Sequence, residues 1–379
     1  MVSTGYVPII PNRIGAIEPY VYELARNLSF NHSVHIFGTG NGEEKVGRMH
    51  VKAFGYNESL PHLLEPSFGY RLAYQIPFNI YLFKEFCNLN KCKHVDVLHI
   101  HDANSGFAAT ALKKMFNTPL VCSVHNEIRS IKSVQSCDKI LAVSNYIRDF
   151  LVEKRGLSED KVDVLNMAVD TNLCKRKRKM ENAKKDLGLS NHNIILFVGR
   201  KCPEKGIEIL VDALPEIVDS NPKTLAILVG PDYMFGLNSE DYTKVLKKRI
   251  KKLGVEKNAL FVNFVSQYTL ELFYEAADLL VFPSIWQEPF GKVILEAMCY
   301  EIPVVASAVG GVPEIVENER NGLLVRPGDS VELARCVNYL LKNPIYAQSL
   351  GAEGRKTVLK KFTFNQVVRR CCEVYDKII

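Results

Sequence analysis

No apolar run in this 379-residue chain approaches the ~20 residues a helix needs to cross a bilayer, so a helical membrane span is excluded. The opening stretch Met1–Gly15 lacks a basic segment followed by a long apolar one. It therefore carries no recognisable secretory leader, and the expected location is cytoplasmic. The cysteines include no C-x-x-C pair, and the adjacent Cys371 and Cys372 suit neither an ordinary bridge nor a zinc knuckle. Reduced, packed thiols are expected. Zinc-finger spacing and the aromatic–glycine pattern of an RNA-recognition sheet are also missing, so nucleic acid is not an expected partner.

What is present has the balance of a globular protein, 47% hydrophobic and 24% charged. The length suits two domains of comparable size. The net charge is +6, and two clusters contribute strongly: Lys175–Lys179, and Lys247–Arg249 with Lys251 and Lys252. The reading favoured for both is solvated surface. Attraction to anionic lipid headgroups, giving peripheral contact with the inner face of a membrane, is the sharper alternative.

Short β-branched runs alternate with amphipathic helical patterns along the chain. Strands are predicted at 33–37, 95–99, 120–124 and 139–143, with helices at 18–28 and 145–154. The grammar restarts after residue 190. Strands are predicted at 194–198, 224–229, 260–264, 279–282, 304–306 and 322–325, with helices at 206–218 and 242–253. Such alternation implies α/β domains with parallel sheets covered by helices. The charged stretch 170–185 reads as the linker. The expected domains are 1–168 and 169–362, with an amphipathic final helix over 363–379 crossing back to the first. In such sheets ligands sit at the carboxyl ends of strands.

Three segments at predicted strand ends carry chemistry. The first is Gly199-Arg200 followed by Lys205-Gly206, where a turn brings two cations to a helix start. Free N–H groups and positive charge there suit a diphosphate; a turn with two surface cations is the plainer reading. The second runs from Phe282 to Met298. Glu288 precedes a predicted helix, with Pro289 fitting its first turn, and Gly291 permits close approach to the main chain. Glu296 lies on an apolar helix, where a bare carboxylate needs partners: sugar hydroxyls, or an internal ion pair. The third is Gly310-Gly311 followed by Glu314, which is expected to complement a helix dipole.

Together these segments resemble family 4 of the retaining glycosyltransferases. The resemblance rests on FVGR…KG at 197–206, YEAAD at 274–278, Pro283-Ser284, the Glu288/Glu296 pair, PVVAS at 303–307, GGVPEIV at 310–316 and NGLLV at 321–325. It implies a GT-B fold, two Rossmann-like domains with the donor site in the second. Arg200 and Lys205 would then neutralise the donor diphosphate. Glu296 would bind the ribose and Glu288 the donor sugar, while Gly199 and the amides of Phe290 and Gly291 would contact donor. No metal site and no cofactor beyond the nucleotide sugar is implied.

In the first half the resemblance assigns Gly15 and Ala16 to a glycine loop facing the donor, and His125 to the donor sugar as an unprotonated hydrogen-bond donor. Ala16 stands where relatives carry a second glycine, and only Met1–Thr4 precede the first predicted strand, so an upstream start stays open. His99 and His101 lack companion ligands at a metal spacing and read as structural. Ser144 matches the serine before the last helix of the first domain. Asn166, Met167 and Ala168 replace the usual Pro-Asn-Gly of the hinge. Aromatics between Glu65 and Asn90 (Phe68, Tyr70, Tyr74, Phe78, Tyr81 and Phe86) would flank the acceptor, most of them as core.

The expected reaction moves a hexose from a nucleoside diphosphate sugar to an acceptor hydroxyl with retention, in cell-surface glycan or glycolipid synthesis. UDP is the expected nucleotide, with GDP and ADP open; the acceptor could be lipid, glycan or small molecule. Two rivals remain: a nucleotide-sugar epimerase, and a non-catalytic nucleotide-sugar-binding subunit.

Overall fold

A computed structural model describes residues 1–3, 8–10, 17–55, 75–128, 130–232 and 239–379. Gly15, Ala16, Phe68, Tyr70 and Tyr74 lie outside the described residues. The chain divides into two compact units, Met1–Ala168 with Phe364–Ile379, and Val169–Thr363.

The first unit begins with β1 (Pro8–Ile10) and α1 (Ile17–Leu28). Next come β2 (Val34–Gly40), β3 (Glu43–Val46), β4 (Met49–Gly55) and α2 (Ile76–Cys92). They are followed by β5 (Leu98–Ile100), α3 (Gly106–Phe116), β6 (Leu120–Val124), β7 (Lys139–Ala142), α4 (Asn145–Asp149) and β8 (Val162–Val164). Two four-stranded groups, β1-β2-β4-β3 and β5-β6-β7-β8, are joined through Val2, which bridges both Phe37 and Ile100. All pairings are parallel except β3 with β4. The predicted helix over 145–154 is α-helical only to Asp149; Phe150–Lys154 forms a π-turn. Phe78 and Phe86 are core, and Tyr81 is half-buried.

The second unit comprises α5 (Met180–Asp186), β9 (Asn193–Val198), α6 (Ile207–Ser220), β10 (Thr224–Val229), α7 (Ser239–Lys252) and β11 (Ala259–Val262). It continues with α8 (Gln267–Ala276), β12 (Leu279–Phe282), α9 (Lys292–Cys299), β13 (Val304–Ser307), β14 (Leu323–Val325), α10 (Ser330–Lys342) and α11 (Pro344–Lys361). Its six strands are all parallel in the order β11-β10-β9-β12-β13-β14. β10, β12 and β13 are buried at every position, as expected of strands covered on both faces. The direction of winding reverses between β9 and β12. That switch point is where a doubly wound sheet leaves a crevice for a ligand.

α12 (Phe364–Tyr375) is the final helix and belongs to the first unit. Phe364 stacks on Tyr20 of α1, Tyr375 hydroxyl bonds His99 Nδ1 at 2.6 Å, and Arg370 pairs with Asp163 at 2.8 Å. Its apolar stripe is thus satisfied without a following strand.

The stretch 170–185 is not a free linker. Arg176 donates to the carbonyls of Glu275 and Tyr300 at 2.7 and 3.1 Å. Lys177 N–H donates to Glu275 Oε1 at 2.7 Å, Arg178 pairs with Oε2 at 3.0 Å, and Met180–Asp186 is helical. Arg176, Lys177 and Arg178 of the first basic cluster are therefore held within the unit, because the YEAAD segment supplies a buried acid beneath them, while Lys175 and Lys179 are exposed. Asp278 of that segment likewise holds Lys184 at 2.6 Å.

All ten cysteines are free. Burial pushes the Cys202 thiol up to about 11 and those of Cys299 and Cys371 up to about 12, so they stay protonated. Among the described residues, no helix is long and apolar enough to cross a membrane.

Candidate active site

The loops leaving β9 and β12 meet at the switch point and interlock through main chain. After Val198 the chain runs through Gly199 and the exposed Arg200 into a 3-10 turn, Pro203–Lys205. Gly206 follows with φ +62°, and a Cβ there would stand 2.1 Å from the Pro283 carbonyl oxygen. Only glycine allows both the left-handed turn and this approach. The Glu204 carbonyl accepts from the amides of Ile285 and Trp286 at 3.1 and 3.2 Å, and from Ser284 Oγ at 3.0 Å.

That interlock places Lys205 on Glu288. Its Nζ donates to Glu288 Oε1 at 2.5 Å, and Ser284 Oγ shares its one proton between the same oxygen, at 2.8 Å, and the Glu204 carbonyl. Glu288 is 6% exposed. A buried carboxylate so partnered avoids the desolvation cost of a bare one. The loop after β13 closes the arrangement: Gly311 N–H donates to the Glu288 carbonyl at 2.8 Å, and Gly310 N–H to Gln287 Oε1 at 2.9 Å. Gly310 has φ +50°, and a Cβ there would meet the Glu288 carbonyl at 2.1 Å.

Glu296 stands on α9. Its Oε2 accepts from Tyr274 hydroxyl at 2.9 Å, and Lys292 lies 3.5 Å from Oε1 one turn earlier. The internal ion pair anticipated as one of two readings is thus present through Lys292, Tyr274 adds a hydrogen bond, and a fifth of the side chain remains open. Burial, and then the neighbouring carboxylate, push the Tyr274 phenol well above its ordinary value, so it donates and does not ionise.

Some expectations need correction. α9 starts at Lys292, capped by Gly291, so Pro289 lies in the loop and not in a first helical turn. Glu314 closes a three-residue 3-10 turn, Val312–Glu314, not the first turn of a helix. The expectation for Phe290 concerned its amide and is not affected: the side chain is core, 2% exposed and edge-on to Phe362. Tyr274, Ser284 and Gln287 were not assigned roles from sequence. The signal available was their place inside YEAAD, Pro-Ser and the residues just before Glu288.

In the first unit His125 ends β6 and is 8% exposed. Its Nε2 lies 3.2 Å from His101 Nδ1, and Tyr20 meets its ring edge-on. His101 stacks on His99 at 4.2 Å, and His99 Nε2 bonds Ser123 Oγ at 2.8 Å. Burial lowers His125 to about 4 and holds His99 and His101 well below the ordinary imidazole value. Ser144 Oγ caps α4 by accepting from Ile147 N–H at 3.2 Å. Among the described residues no three His, Cys, Asp or Glu side chains gather as metal ligands.

The histidines set a pH dependence. An unfolded imidazole titrates near 6.5, so between that value and about 4 the unfolded chain binds more protons than the native one. Stability is full above about pH 6.5 and falls as pH drops toward 4. His125 alone is expected to cost about 3 kcal/mol across that window. Thermal melts through the window should show the fall, flattened in part by His125→Asn; a flat profile would contradict it.

Comparisons with known proteins agree with this geometry. The family described as Glycosyl transferases group 1 matches residues 179–357, and Glycosyltransferase Family 4 matches residues 17–173. An uncharacterized glycosyltransferase of Methanocaldococcus jannaschii is 30% identical over 304 residues, 74% of this chain and 75% of its own length. The chain belongs to glycosyltransferase family 4. This family-4 glycosyltransferase is also 26% identical to spore coat protein SA of Bacillus subtilis, over 100% of the chain and 98% of that protein. Among solved structures, Anabaena HepE in complex with UDP and glucose has a TM-score of 0.78 at 22% identity, covering 99% of this chain and 98% of that one. Sucrose-phosphate synthase from Thermosynechococcus elongatus gives 0.80 at 22%, covering 99% and 97%. These likenesses establish the two-domain GT-B fold.

Proposed function

We propose that the second unit binds a UDP-linked hexose, and that the enzyme transfers the hexose with retention to an acceptor hydroxyl in cell-surface glycan or glycolipid synthesis. The observation that carries this reading is the Lys205–Glu288–Ser284 cluster at the sheet's switch point, with Glu296 and Tyr274 on the neighbouring helices. The Anabaena complex with UDP and glucose supports a UDP-linked donor, and the Bacillus relative's name supports a surface role.

In the transfer, the bond from the sugar's anomeric carbon to the diphosphate oxygen breaks and a bond to the acceptor oxygen forms on the same face. The acceptor proton passes to the departing diphosphate. Arg200 and Lys205 stabilise the charge growing on that group, with Gly199 and the amides at Phe290 and Gly291 alongside. Glu296 accepts from ribose hydroxyls and Glu288 from the sugar. His125, neutral, serves as a hydrogen-bond partner and not as a base.

A thermal-shift screen against UDP, GDP, ADP and their sugar conjugates tests this. A ligand at a hundredfold over its Kd stabilises the fold by about 2.7 kcal/mol. Selective stabilisation by UDP species is expected, abolished in Glu296→Ala and weakened severalfold in Tyr274→Phe. No shift from a folded protein would favour a non-catalytic role. Sugar isomerisation without acceptor would favour an epimerase, and a product of inverted anomeric configuration would refute retention.

A further inference from the structure

The two basic clusters look alike in composition, but the structure separates them. Arg176, Lys177 and Arg178 of the first are tied to Glu271, Glu275 and main-chain carbonyls. The second lies on α7, where Arg249 is the single member of the cluster in an ion pair among the described residues. Leu246 and Ile250, 1% and 3% exposed, seat that helix in the core, and Tyr242 hydroxyl bonds Glu208 of α6. The 3.6-residue period then turns Lys244, Lys247, Lys248, Lys251 and Lys252 outward, and all five are exposed. Arg249 is taken up by Asp212. Lys248, Lys251 and Lys252 make no ion pair with any described residue. Asn258 Nδ2 donates to the Thr224 carbonyl at 2.8 Å, which brings the exposed Lys257 and Lys223 to the same end. After Glu240 and Asp241 in the first turn of α7, Glu256 is the single acid up to residue 257. Complementing the helix dipole accounts for the lysines of the last turn but not for Lys244, Lys247 and Lys248.

We propose that this outward face of α7 docks on an anionic lipid bilayer. Its charges lie on one side of a helix, spread over roughly 12 Å from Lys244 to Lys252, as a charged plane requires. Val245, 55% exposed, flanks it with an apolar group suited to the headgroup layer. A polynucleotide fits less well, because no described ring stands free on this face for base stacking. Tyr242 is held by Glu208, and Lys247 lies over Phe261 at 5.5 Å. Since the helix's apolar stripe is used by its own core, attachment is electrostatic and weakens with salt.

The test is co-sedimentation of the full-length protein with phosphatidylcholine vesicles, with and without phosphatidylglycerol. Binding is expected only with the anionic lipid. The triple variant Lys248→Gln, Lys251→Gln, Lys252→Gln should lose about a hundredfold in partitioning, at roughly fivefold per charge, with nucleotide thermal shifts unchanged. A control removing the scattered lysines Lys91, Lys114 and Lys342 should bind as the parent does. Four outcomes would each overturn the proposal: no binding to anionic vesicles, equal binding to neutral ones, an unaffected triple variant, or displacement from vesicles by a single-stranded oligonucleotide at equal charge.

Discussion

Lys205→Ala should lower sugar transfer by about a hundredfold to a thousandfold, the range seen when one donor to a developing oxyanion is removed. It should do so without unfolding the protein. Lys205 is anchored on Glu288, and Ser284 still donates to that carboxylate once the ammonium is gone. The Glu204 carbonyl bonds that shape the turn are made by Ser284, Ile285 and Trp286, and none involves the lysine side chain. The melting midpoint should therefore fall by a few degrees at most while turnover collapses. Full activity would remove Lys205 from the chemistry. Loss of the fold would mean that the ion pair is chiefly structural.

Gly206→Ala tests the same site without touching any functional group. The added methyl would stand 2.1 Å from the Pro283 carbonyl oxygen, and residue 206 must also keep φ at +62°. The left-handed conformation alone costs about 1–2 kcal/mol for an alanine. The clash cannot be relieved by a rotamer, because the Cβ is fixed by the backbone and the atom that it meets is main chain. The two loops are expected to part, breaking the Lys205–Glu288 contact. Donor-induced thermal stabilisation should disappear and transfer should fall at least as far as in Lys205→Ala. An alanine variant that binds UDP normally would show that the interlock is dispensable.

The fold was legible in the sequence because its signals are local. Leu279–Phe282 and Thr224–Val229 are continuous apolar strands whose bounds match the predicted ones, and the stretches between them keep helical period. Pairwise chemistry was legible only in part. Glu288, Glu296 and Lys205 stood out as charges at strand ends, but their partners come from segments 4 to 83 residues away. Nothing local says that Tyr274 reaches Glu296, or that Lys205 sits on Glu288. The charged stretch 170–185 misled for the same reason. Its composition is that of a linker, and the Glu275 that captures it is 98 residues on. Pro289 misled differently: a proline permitted at a helix start is equally permitted in a loop.

The main-chain seam between the loops after β9, β12 and β13 has an evolutionary consequence. Each loop is measured against another: Glu204 against 284–286, Glu288 against 310–311, Gly206 against Pro283. An inserted or deleted residue in any one would put two others out of step, so these loops cannot diversify by length. Descendants of this chain that take a different sugar would have to change side chains on a fixed frame, while insertions accumulate elsewhere on the surface.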